Sequence, residues 1–473
     1  MQTHKGTNNS VVALKSGFWF TVCNIITKGI GFFTTPIFSR LLTKSEFGDY
    51  NNFTTWTGIV LFVTSLNLES SLIRARFDFK EDIDSYVTSM SFLSMLSTAF
   101  WFLIMTVFVS PFESLFSMDR VEMNAMFLYL FFYPAIQLFQ TKERYLYKYK
   151  STIISSLLVV ASTAGLSVVL VVLFENKLFG RIIGSVIPVA IIGAVIWMLI
   201  LKESRKIQVK YWKYALPFTL PFIPHLLSMY LLGSMDKVMI KQICGSEDLA
   251  LYSLAYTVGT IISLLVHSMN NAFSPWLGEQ LSEKNYEKTR RISVVYVMAF
   301  TFFSILFIWI TPEVLFVLGD KGYIEAQSVI PQIFAGTLMQ FIYCMYVNVE
   351  QFEKKTGGMA IASVIAALFN YITNAYFIRQ FGYIAASYTT FFSYLFLMLL
   401  HVWLVRRIGR EKVFNNLFIL IIGLIGSVVL ILASFVFEYT ILRYSIFSVL
   451  IVLAAIILYR YRTVVKNVLK RGK

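Results

Sequence analysis

A lysine stands near the middle of the first long apolar stretch of this 473-residue sequence, Gly17 to Phe38. A helix of about 20 residues crosses the hydrocarbon layer of a bilayer, so Lys28 is predicted to lie near mid-membrane. The helix face that carries Lys28 also holds small and polar residues, namely Gly17, Thr21, Asn24, Gly31 and Thr35. A charged side chain exposed to lipid costs at least about 2.5 kcal/mol, so this face is predicted to line a watery cavity. The alternative is a lysine that reaches the membrane surface or pairs with an acid.

Polar side chains also fall on single faces of three later apolar stretches. The second stretch carries Glu69 near its end, and the seventh carries His225 and Asp236 after three closely spaced prolines. The eighth stretch is polar along one face, at Tyr252, Tyr256, His267 and Asn270. Taken singly, each of these residues is better explained by a hydrogen bond between helices than by a ligand. Their recurrence in the first, second, seventh and eighth stretches indicates matched cavity walls.

A cavity with these walls would be net positive. The basic residues near its predicted mouths are Arg40, Arg74, Arg76 and Lys237. Arginine and lysine bind phosphate, whereas amides and hydroxyls suit the donors and acceptors of sugars. The predicted substrate-binding residues are therefore Lys28, Asn24, Arg40, Arg74, Arg76, Lys237, Tyr252, Tyr256 and Asn270. The predicted coupling or gating residues are the titratable Glu69, Asp236, His225 and His267.

The composition places these stretches in a membrane. Hydrophobic residues make up 57% of the chain, charged residues make up 14%, and the mean hydropathy is +0.68. These values are typical of a polytopic α-helical membrane protein. The first apolar stretch is too long for a cleavable signal peptide, and no small-residue cleavage site follows it. Cys23, Cys244 and Cys344 lie far apart, so the sequence predicts no disulfide framework, metal site or cofactor.

Fourteen membrane spans are predicted, near residues 14–38, 49–72, 85–110, 123–141, 151–174, 178–200, 213–235, 249–273, 292–312, 326–348, 357–377, 382–405, 414–437 and 442–461. The 41 lysines and arginines are unevenly divided between the two predicted sides of the membrane. The side that holds both termini has about three times as many as the other side. This bias predicts that both termini are cytoplasmic. It also accounts for the net charge of +15 without any binding of nucleic acid.

A short internal echo relates the two halves of the chain. The sequence S-E-F-G-D-Y at Ser45–Tyr50 follows the first span, and S-E-D-L-A-L-Y at Ser246–Tyr252 follows the seventh. Each echo is followed by a glycine in the next span, at Gly58 and Gly259. Six spans separate the copies, so both have the same orientation, as in parallel transporter repeats. The predicted fold is all-α, with two six-helix lobes (1–205 and 206–408) around a central cavity and two peripheral helices with a basic cytoplasmic tail (409–473).

Two longer patterns resemble a known family. They are P-I-F-S-R-L-L at Pro36–Leu42 with E-F-G-D-Y at Glu46–Tyr50, and D-K-V-M-I at Asp236–Ile240 with L-Y-S-L-A-Y at Leu251–Tyr256. Together with the fourteen-span layout, they resemble the bacterial polysaccharide transporters, the O-antigen and capsule repeat-unit flippases. That family is part of the MOP exporter superfamily, which also contains multidrug exporters and the lipid II flippase.

The resemblance implies a flippase of the bacterial inner membrane that works by alternating access. The implied substrate is an oligosaccharide on undecaprenyl pyrophosphate, which moves from the cytoplasmic to the periplasmic leaflet. Membrane lipids, a polysaccharide polymerase and a chain-length regulator are the implied partners. The resemblance assigns the cationic role to Lys28, Arg40 and Arg74, and an acidic role to Asp236. The family commonly has arginine deep in the first helix, where this chain has Lys28.

Two other functions remain open at this point. A cation-coupled multidrug exporter of the same fold would favour acidic cavity walls, which the basic bias opposes. A membrane enzyme such as a polysaccharide polymerase would require a sizeable loop with clustered catalytic groups. Every loop is short, and the chain has no G-x-x-x-x-G-K-[ST] phosphate loop. The sequence therefore predicts a transporter that is not an enzyme.

Overall fold

The computed structural model of the chain describes residues 19, 23, 26, 27 and 29–460, and every regular element within them is a helix. The first eleven α-helices are α1 (29–41), α2 (Lys44–Thr64), α3 (Leu72–Asp78), α4 (Ile83–Val107), α5 (Val109–Phe116), α6 (Arg120–Tyr145), α7 (Tyr149–Leu173), α8 (Lys177–Glu203), α9 (Val209–Thr219), α10 (Ile223–Leu232) and α11 (Met235–Ile243). The others are α12 (Ser246–Ser282), α13 (Tyr286–Ile308), α14 (Thr311–Gly319), α15 (Ile330–Phe352), α16 (Thr356–Phe381), α17 (Tyr383–Arg407), α18 (Asn416–Leu432) and α19 (Thr440–Arg460). Short 3₁₀ turns occupy Leu68–Ser71, Leu220–Phe222, Lys321–Ser328 and Ala433–Val436.

Most of these helices can cross a membrane. Ten helices in the described part of the chain are long and apolar enough, and α2 with α3 makes an eleventh span if the bent pair counts as one. These coincide with eleven of the predicted spans. Of the other three, 14–38 lies partly outside the described residues, α6 carries ionisable residues at both ends, and the apolar part of α19 is shorter. The prediction of an all-α polytopic membrane protein is confirmed.

The chain packs into two compact units, Met1–Ser253 and Leu254–Lys473, here called the N-terminal unit and the C-terminal unit. The division falls inside α12. The segment α9–α11 packs against α2, α4 and the turn Leu68–Ser71, and it therefore belongs to the N-terminal unit. The predicted ranges 1–205, 206–408 and 409–473 follow the sequence repeat and stay a prediction.

Local sequence explains where α2 and α6 begin. Thr43 and Glu46 form a capping box, in which the Thr43 hydroxyl accepts from the Glu46 amide and the Glu46 carboxylate accepts from the Thr43 amide. Asp119 and Glu122 form the same arrangement before α6. Each box satisfies backbone N–H groups that have no partner within the helix. The resemblance motif at Glu46 thus has a local structural role.

The second predicted span is broken. The axes of α2 and α3 differ by 51°, and Leu66 and Asn67 between them adopt left-handed backbone angles with φ of 52° and 50°. Asparagine tolerates this conformation better than most residues. Glu69 lies in the 3₁₀ turn directly after the bend.

The seventh span is interrupted as its prolines predict. Pro217 lies inside α9, Pro221 lies in the 3₁₀ turn Leu220–Phe222, and Pro224 lies in the first turn of α10. Proline removes a backbone donor and its ring clashes with the preceding turn, so regular helical hydrogen bonding cannot continue. The segments on either side pack differently, since α9 contacts α4 whereas α10 contacts α2.

The two copies of the sequence echo meet in the N-terminal unit. A Cβ atom on Gly48 would lie 1.9 Å from the carbonyl oxygen of Ser246, so the backbone approach requires glycine. The Ser246 hydroxyl donates to Asp49 at 2.7 Å, and Lys241 forms an ion pair with the same carboxylate. Packing and charge therefore hold the start of α2 against the start of α12.

A charged cluster joins three helices of the N-terminal unit at the end where its basic loops lie. Lys142 of α6 is 2% exposed and pairs with Asp84 of α4 at 3.0 Å and with Glu203 of α8. One ammonium group thus contacts two carboxylates that are each nearly half exposed. The cluster fixes the ends of α4, α6 and α8 relative to one another.

The C-terminal unit is built around α15, which is buried along most of its length. It packs against α13, α16, α17 and α18. Gly423 and Gly426 allow α18 to approach side chains of α15, and Gly426 also approaches Thr301 of α13. The last helix, α19, is attached through Arg443, whose guanidinium contacts Glu313 of α14 at 2.5 and 2.6 Å.

Candidate functional site

A cavity of about 420 Å³ lies in the N-terminal unit between α1, α2, α6, α7 and α8. This volume is within the range of small-molecule binding sites. Its polar lining consists of hydroxyl groups and one arginine: Thr27, Thr34, Tyr50, Thr54, Thr57, Tyr129, Tyr133, Thr163, Arg181 and Ser185. Aliphatic residues such as Leu61 and Val189 complete the wall. The wall is therefore mostly apolar and aromatic, and hydroxyl groups and a positive charge are distributed over it.

Arg181, in the second turn of α8, supplies that charge. Its guanidinium carbon lies 3.6 Å from the ring centre of Phe38 and 4.2 Å from that of Tyr50. Within the described residues its Nε is buried without a hydrogen-bond acceptor, and no carboxylate pairs with its guanidinium. The two ring faces attract the cation and fix its plane. The N–H groups at its edge stay suited to a bidentate contact with a phosphate or carboxylate.

The smaller hydroxyls of the cavity already donate to their own helices. Thr57 donates to the carbonyl of Phe53 at 2.7 Å. The hydroxyls of Thr34, Thr54, Thr163 and Ser185 donate in the same way to the carbonyl three residues earlier. A hydroxyl has two acceptor lone pairs in addition to its donor. In this arrangement these walls offer acceptors, and sugar hydroxyls and N–H groups are suitable donors to them.

Two tyrosines of α6 form an aromatic surface in the same cavity. The rings of Tyr129 and Tyr133 are stacked, with centres 4.9 Å apart and an angle of 25° between their planes. Tyr50, which contacts Arg181, also stacks on Phe53 at 6.3 Å. Each tyrosine presents an apolar ring and a polar hydroxyl, a combination that suits ligands with both apolar faces and hydroxyl edges.

The two central residues of the predicted first-helix site, Lys28 and Asn24, lie outside the described residues. Their neighbours Thr27, Gly31 and Thr34 line the cavity, so Gly31 is shared between the predicted polar face and the observed wall. Thr35, also on the predicted face, donates to the carbonyl of Gly31 and does not line the cavity.

The other predicted cations do not line this cavity. Arg40 is exposed on α1 and donates to the carbonyl of Pro36 at 2.8 Å. Arg74 and Arg76 share the short helix α3, where Arg74 lies over Phe218 and Arg76 lies over Phe77 and Tyr145. Lys237 is half-buried on α11. The structure therefore spreads these four residues over the N-terminal unit.

Two predicted residues from different groups are brought into direct contact. Asp236 and Tyr252 are fully buried, and the Tyr252 hydroxyl donates to the Asp236 carboxylate. The same carboxylate accepts from the Lys237 amide at 2.9 Å. This contact joins α11 to the start of α12. The half-buried Glu69 forms no ion pair with Arg74 or Arg76, although all three are described.

The remaining predicted residues are distributed along α10 and α12. His225 is half-buried on α10, and His267 is exposed on α12. Tyr256 is half-buried on α12. In the C-terminal unit, Asn270 accepts from the Asn348 amide at 2.8 Å, which joins α12 to α15. The residue types were selected by helix periodicity, and periodicity does not reveal which neighbouring helix each face meets.

Sequence reasoning missed Arg181 and the contributions of α6, α7 and α8 to the cavity wall. A signal is present, because Arg181 lies inside the predicted span 178–200. An arginine that far into an apolar span requires a polar or aromatic environment. Its ring contacts with Phe38 and Tyr50 supply that environment.

Comparison with known families agrees with this architecture. A family model described as polysaccharide biosynthesis protein matches residues 13–281, more than half of the chain. The chain belongs to the polysaccharide biosynthesis protein family. A second model, MatE, matches residues 221–376. The resemblance to MOP-superfamily polysaccharide transporters that the sequence motifs suggested is thereby confirmed.

Members of related groups share the fold at low sequence identity. This chain is 23% identical to Lsg locus putative protein 1 of Haemophilus influenzae over 375 residues. The alignment covers 75% of this chain and 88% of that protein. The chain is similar to the structure of the lipid II flippase MurJ in an inward closed conformation, with a TM-score of 0.68, 13% identity and coverage of 95% of this chain and 100% of that chain. An inward-facing multidrug MATE transporter of the MOP superfamily gives a TM-score of 0.57 at 15% identity, with 85% and 98% covered. These likenesses establish a MOP-type transporter fold.

Proposed function

We propose that this protein is a flippase that moves an undecaprenyl-pyrophosphate-linked oligosaccharide repeat unit from the cytoplasmic to the periplasmic leaflet. The observation that carries the proposal is Arg181, a cation held between two rings in a hydroxyl-lined cavity without a carboxylate partner in the described chain. Family membership and the fold shared with a lipid II flippase support it. The transported unit would serve O-antigen, capsule or exopolysaccharide synthesis.

The proposed mechanism replaces water around the polar part of the substrate. Moving an unaccompanied charge through hydrocarbon is prohibitively costly. Arg181 would bind the pyrophosphate or another anionic group, and the cavity hydroxyls would accept hydrogen bonds from the sugars. The polyprenyl chain would stay in lipid. Lys28, Asn24 and the predicted residues at the cavity mouths would extend this path, and alternating access would expose it to each side in turn.

We place the protein in the bacterial inner membrane with both termini in the cytoplasm, as the distribution of lysine and arginine predicts. The reaction is transport, so no catalytic residue is assigned. A polysaccharide polymerase and a chain-length regulator would act on the product after it reaches the outer leaflet. The two lobes of the repeat, 1–205 and 206–408, would be the moving parts.

A multidrug exporter is the second candidate, because the MatE model matches residues 221–376. Organic cations would be repelled by Arg181, and the cavity has no carboxylate among its lining residues in the described chain. The charge of the cavity therefore favours an anionic substrate.

Binding to purified full-length protein in lipid nanodiscs tests the proposal. Undecaprenyl pyrophosphate is compared with undecaprenol, which has the same chain and no charge. Arg181→Ala should weaken binding of the pyrophosphate by about tenfold to a hundredfold, since charge-assisted hydrogen bonds contribute about 1.5–3 kcal/mol. Arg181→Lys should retain part of the affinity. Arg120→Ala, at an exposed arginine of the same unit, is the matched control. Equal binding of the two lipids by the wild-type protein would contradict the proposal.

A further inference from the structure

The C-terminal unit contains a buried acid–imidazole pair that the transport path described above does not use. His401 Nδ1 of α17 lies 2.7 Å from Glu350 Oε1 of α15. The side chains are 2% and 1% exposed, respectively. The second carboxylate oxygen of Glu350 is buried and has no hydrogen-bond partner among the described residues. The pair is thus almost completely removed from water.

Aromatic rings cover the imidazole. The Tyr343 ring stacks on His401 with a centre distance of 5.6 Å and an angle of 18°. Tyr394 stacks on the other end of Tyr343, at 6.3 Å and 9°. The surroundings are therefore apolar, and an unbalanced charge at the pair would be strongly disfavoured.

Other titratable groups on the helices that pack around the pair do not balance its charge. The carboxylate of Glu353, which follows the last residue of α15, pairs with Arg410 at 2.8 Å, and Arg410 also donates to the Tyr286 hydroxyl of α13 at 2.7 Å. The described sequence of α18 has no titratable side chain. The other titratable side chains on the neighbouring helices are Tyr346 of α15, Tyr296 of α13, His267 and Glu279 of α12, and Tyr371, Tyr376 and Arg379 of α16.

The net charge of the Glu350–His401 pair depends on how many protons the two side chains share. With one shared proton, the pair is neutral overall, whether the proton is on the carboxylate or on the imidazole. Loss of that proton leaves a net negative charge in a dry site, and gain of a second leaves a net positive charge. A change in the number of protons on the buried pair therefore requires access of water.

Water is close to the pair along the helix axes. Glu350 lies two residues before the end of α15, and His401 lies six residues before the end of α17. At 1.5 Å per residue, the end of α17 is only about 9 Å away. Lys354, Lys355, Arg406 and Arg407 mark this end of the unit. A modest separation of α15 and α17 there would hydrate the pair.

A second ion pair between helices of this unit differs in its hydration. Glu313, which lies outside the spans and pairs with Arg443, is 41% exposed. Its partial burial raises the pKa of Glu313, but hydrogen bonds from Arg443 and Tyr444 outweigh that effect and leave the pKa below its ordinary value. Glu313 thus stays ionised in contact with water, whereas the Glu350–His401 pair needs an opening for proton exchange.

We propose that Glu350 and His401 form the proton-binding site through which this transporter couples its conformational cycle to a proton gradient. The pair binds one proton while it is open to water on one side of the membrane, retains it while α15 and α17 are packed together, and releases it to the water on the other side. The end marked by Lys354 and Arg406 is one of these two sides. The coupling to substrate rests on the proposed transport function, whereas proton binding at the pair does not. Because the states differ in proton occupancy, a pH gradient shifts their populations.

Infrared difference spectroscopy tests proton binding without any lipid substrate. Spectra of the full-length protein in nanodiscs are compared across about pH 5 to 8, the range in which imidazole ordinarily titrates. The wild-type protein should show a carboxyl or imidazole band that changes with pH. Glu350→Gln and His401→Asn should each remove that band, and both retain groups able to hydrogen-bond across the helices. Glu313→Gln, at the hydrated ion pair, is the matched control and should leave the band unchanged. A spectrum identical in wild-type and Glu350→Gln protein would overturn the proposal.

A second experiment measures coupling in proteoliposomes with undecaprenyl pyrophosphate carrying one sugar as the probe. If one proton moves per cycle, a gradient of one pH unit should change the steady-state ratio of the probe in the two leaflets by about tenfold. Glu350→Gln should abolish this dependence and leave the probe evenly distributed. A wild-type ratio that ignores the gradient while the probe is translocated would overturn the coupling. Failure to translocate the probe at all, with the infrared band present, would instead contradict the proposed substrate and support the proton site.

Discussion

Arg181 in the N-terminal unit and Glu350 in the C-terminal unit are both ionisable residues inside membrane helices, yet their surroundings are opposite. Arg181 contacts two aromatic rings and faces a cavity of about 420 Å³. Glu350 contacts His401 at 2.7 Å in a dry, closely packed region. The arginine has no carboxylate partner in the described chain, whereas the acid has an imidazole.

The difference indicates two kinds of role. A cation beside open, hydroxyl-lined space can exchange water for a ligand anion, so its charge is available for binding. An ionisable group that is already paired with a neighbour can join two helices or bind a proton, but it contributes little to the binding of a large ligand. Lys142, which also lies in the N-terminal unit, pairs with two carboxylates. The distinction therefore follows local geometry and does not depend on which unit holds the residue.

Reversing the charge of the cavity should have the largest effect on ligand binding. Arg181→Glu is expected to weaken binding of undecaprenyl pyrophosphate at least a hundredfold (about 2.7 kcal/mol), because a favourable contact is replaced by repulsion. The same change should allow an organic cation such as tetraphenylphosphonium to bind. Titration of both probes against the full-length protein in nanodiscs measures the two effects.

Arg120→Glu changes the same charge at an exposed position of the N-terminal unit and serves as the control. Its affinities for both probes should stay within about twofold of the wild type, since exposed charges are screened by salt. If Arg181→Glu and Arg120→Glu behaved alike, net charge would explain the binding and the cavity would not.

Removing the paired and the unpaired cation should affect stability differently. Lys142→Met leaves two carboxylates facing each other, and is expected to lower the free energy of unfolding by about 1–2 kcal/mol, discounted because both carboxylates are nearly half exposed. Arg181→Met removes a cation that has no ion-pair partner in the described chain, so it should leave stability unchanged or raised. Thermal unfolding of the two purified variants compares them. A lower midpoint for Arg181→Met than for Lys142→Met would show that Arg181 is structural.

The smallest expected effects come from corresponding glycines of the echo. A Cβ on Gly58 would lie 2.0 Å from the Tyr230 hydroxyl oxygen, and a Cβ on Gly259 would lie 2.5 Å from a methyl carbon of Ile333. We expect Gly58→Ala to cost about 1–2 kcal/mol and Gly259→Ala about 1 kcal/mol, since overpacking forces neighbouring side chains to move. Double-mutant cycles with Tyr230→Ala and Ile333→Ala measure the coupling through thermal unfolding. If the destabilisation of the two single variants simply added in either double variant, the close approach between that glycine and its neighbour would not be the reason for the glycine.

Much of the fold could be predicted because hydrophobic length and helix punctuation are local properties. The spans follow from apolar runs, the interruption at α10 follows from Pro217, Pro221 and Pro224, and the start of α2 follows from its capping box. The bend after α2 was missed, because left-handed angles at Leu66 and Asn67 have no apolar or proline signal. Packing into units was also beyond reach, since α9–α11 associate with α2 and α4 through contacts that are distant in sequence.

The candidate site was only partly predictable. The polar face of the first helix was recognised, and Gly31 lies in the observed wall. Helix periodicity identifies residues on one face but gives no information on the partner helix, so the contact of Arg181 with Phe38 and Tyr50 was not foreseen. For the same reason Glu350 and His401, which are 51 residues apart, could not be paired in advance. Asp236 and Tyr252 were both selected, but for separate roles, and the structure joins them.

The hydroxyls that donate to their own helices have a consequence for the range of cargo that this protein can accept. A threonine can rotate its O–H from a backbone carbonyl to a guest molecule without any shift of the helix. A wall made of such groups can hydrogen-bond to sugars with either axial or equatorial hydroxyls. The binding free energies of the two kinds of sugar should therefore differ little. Under the proposed function, we therefore expect broad stereochemical tolerance, so that one protein handles related glycans on the same carrier.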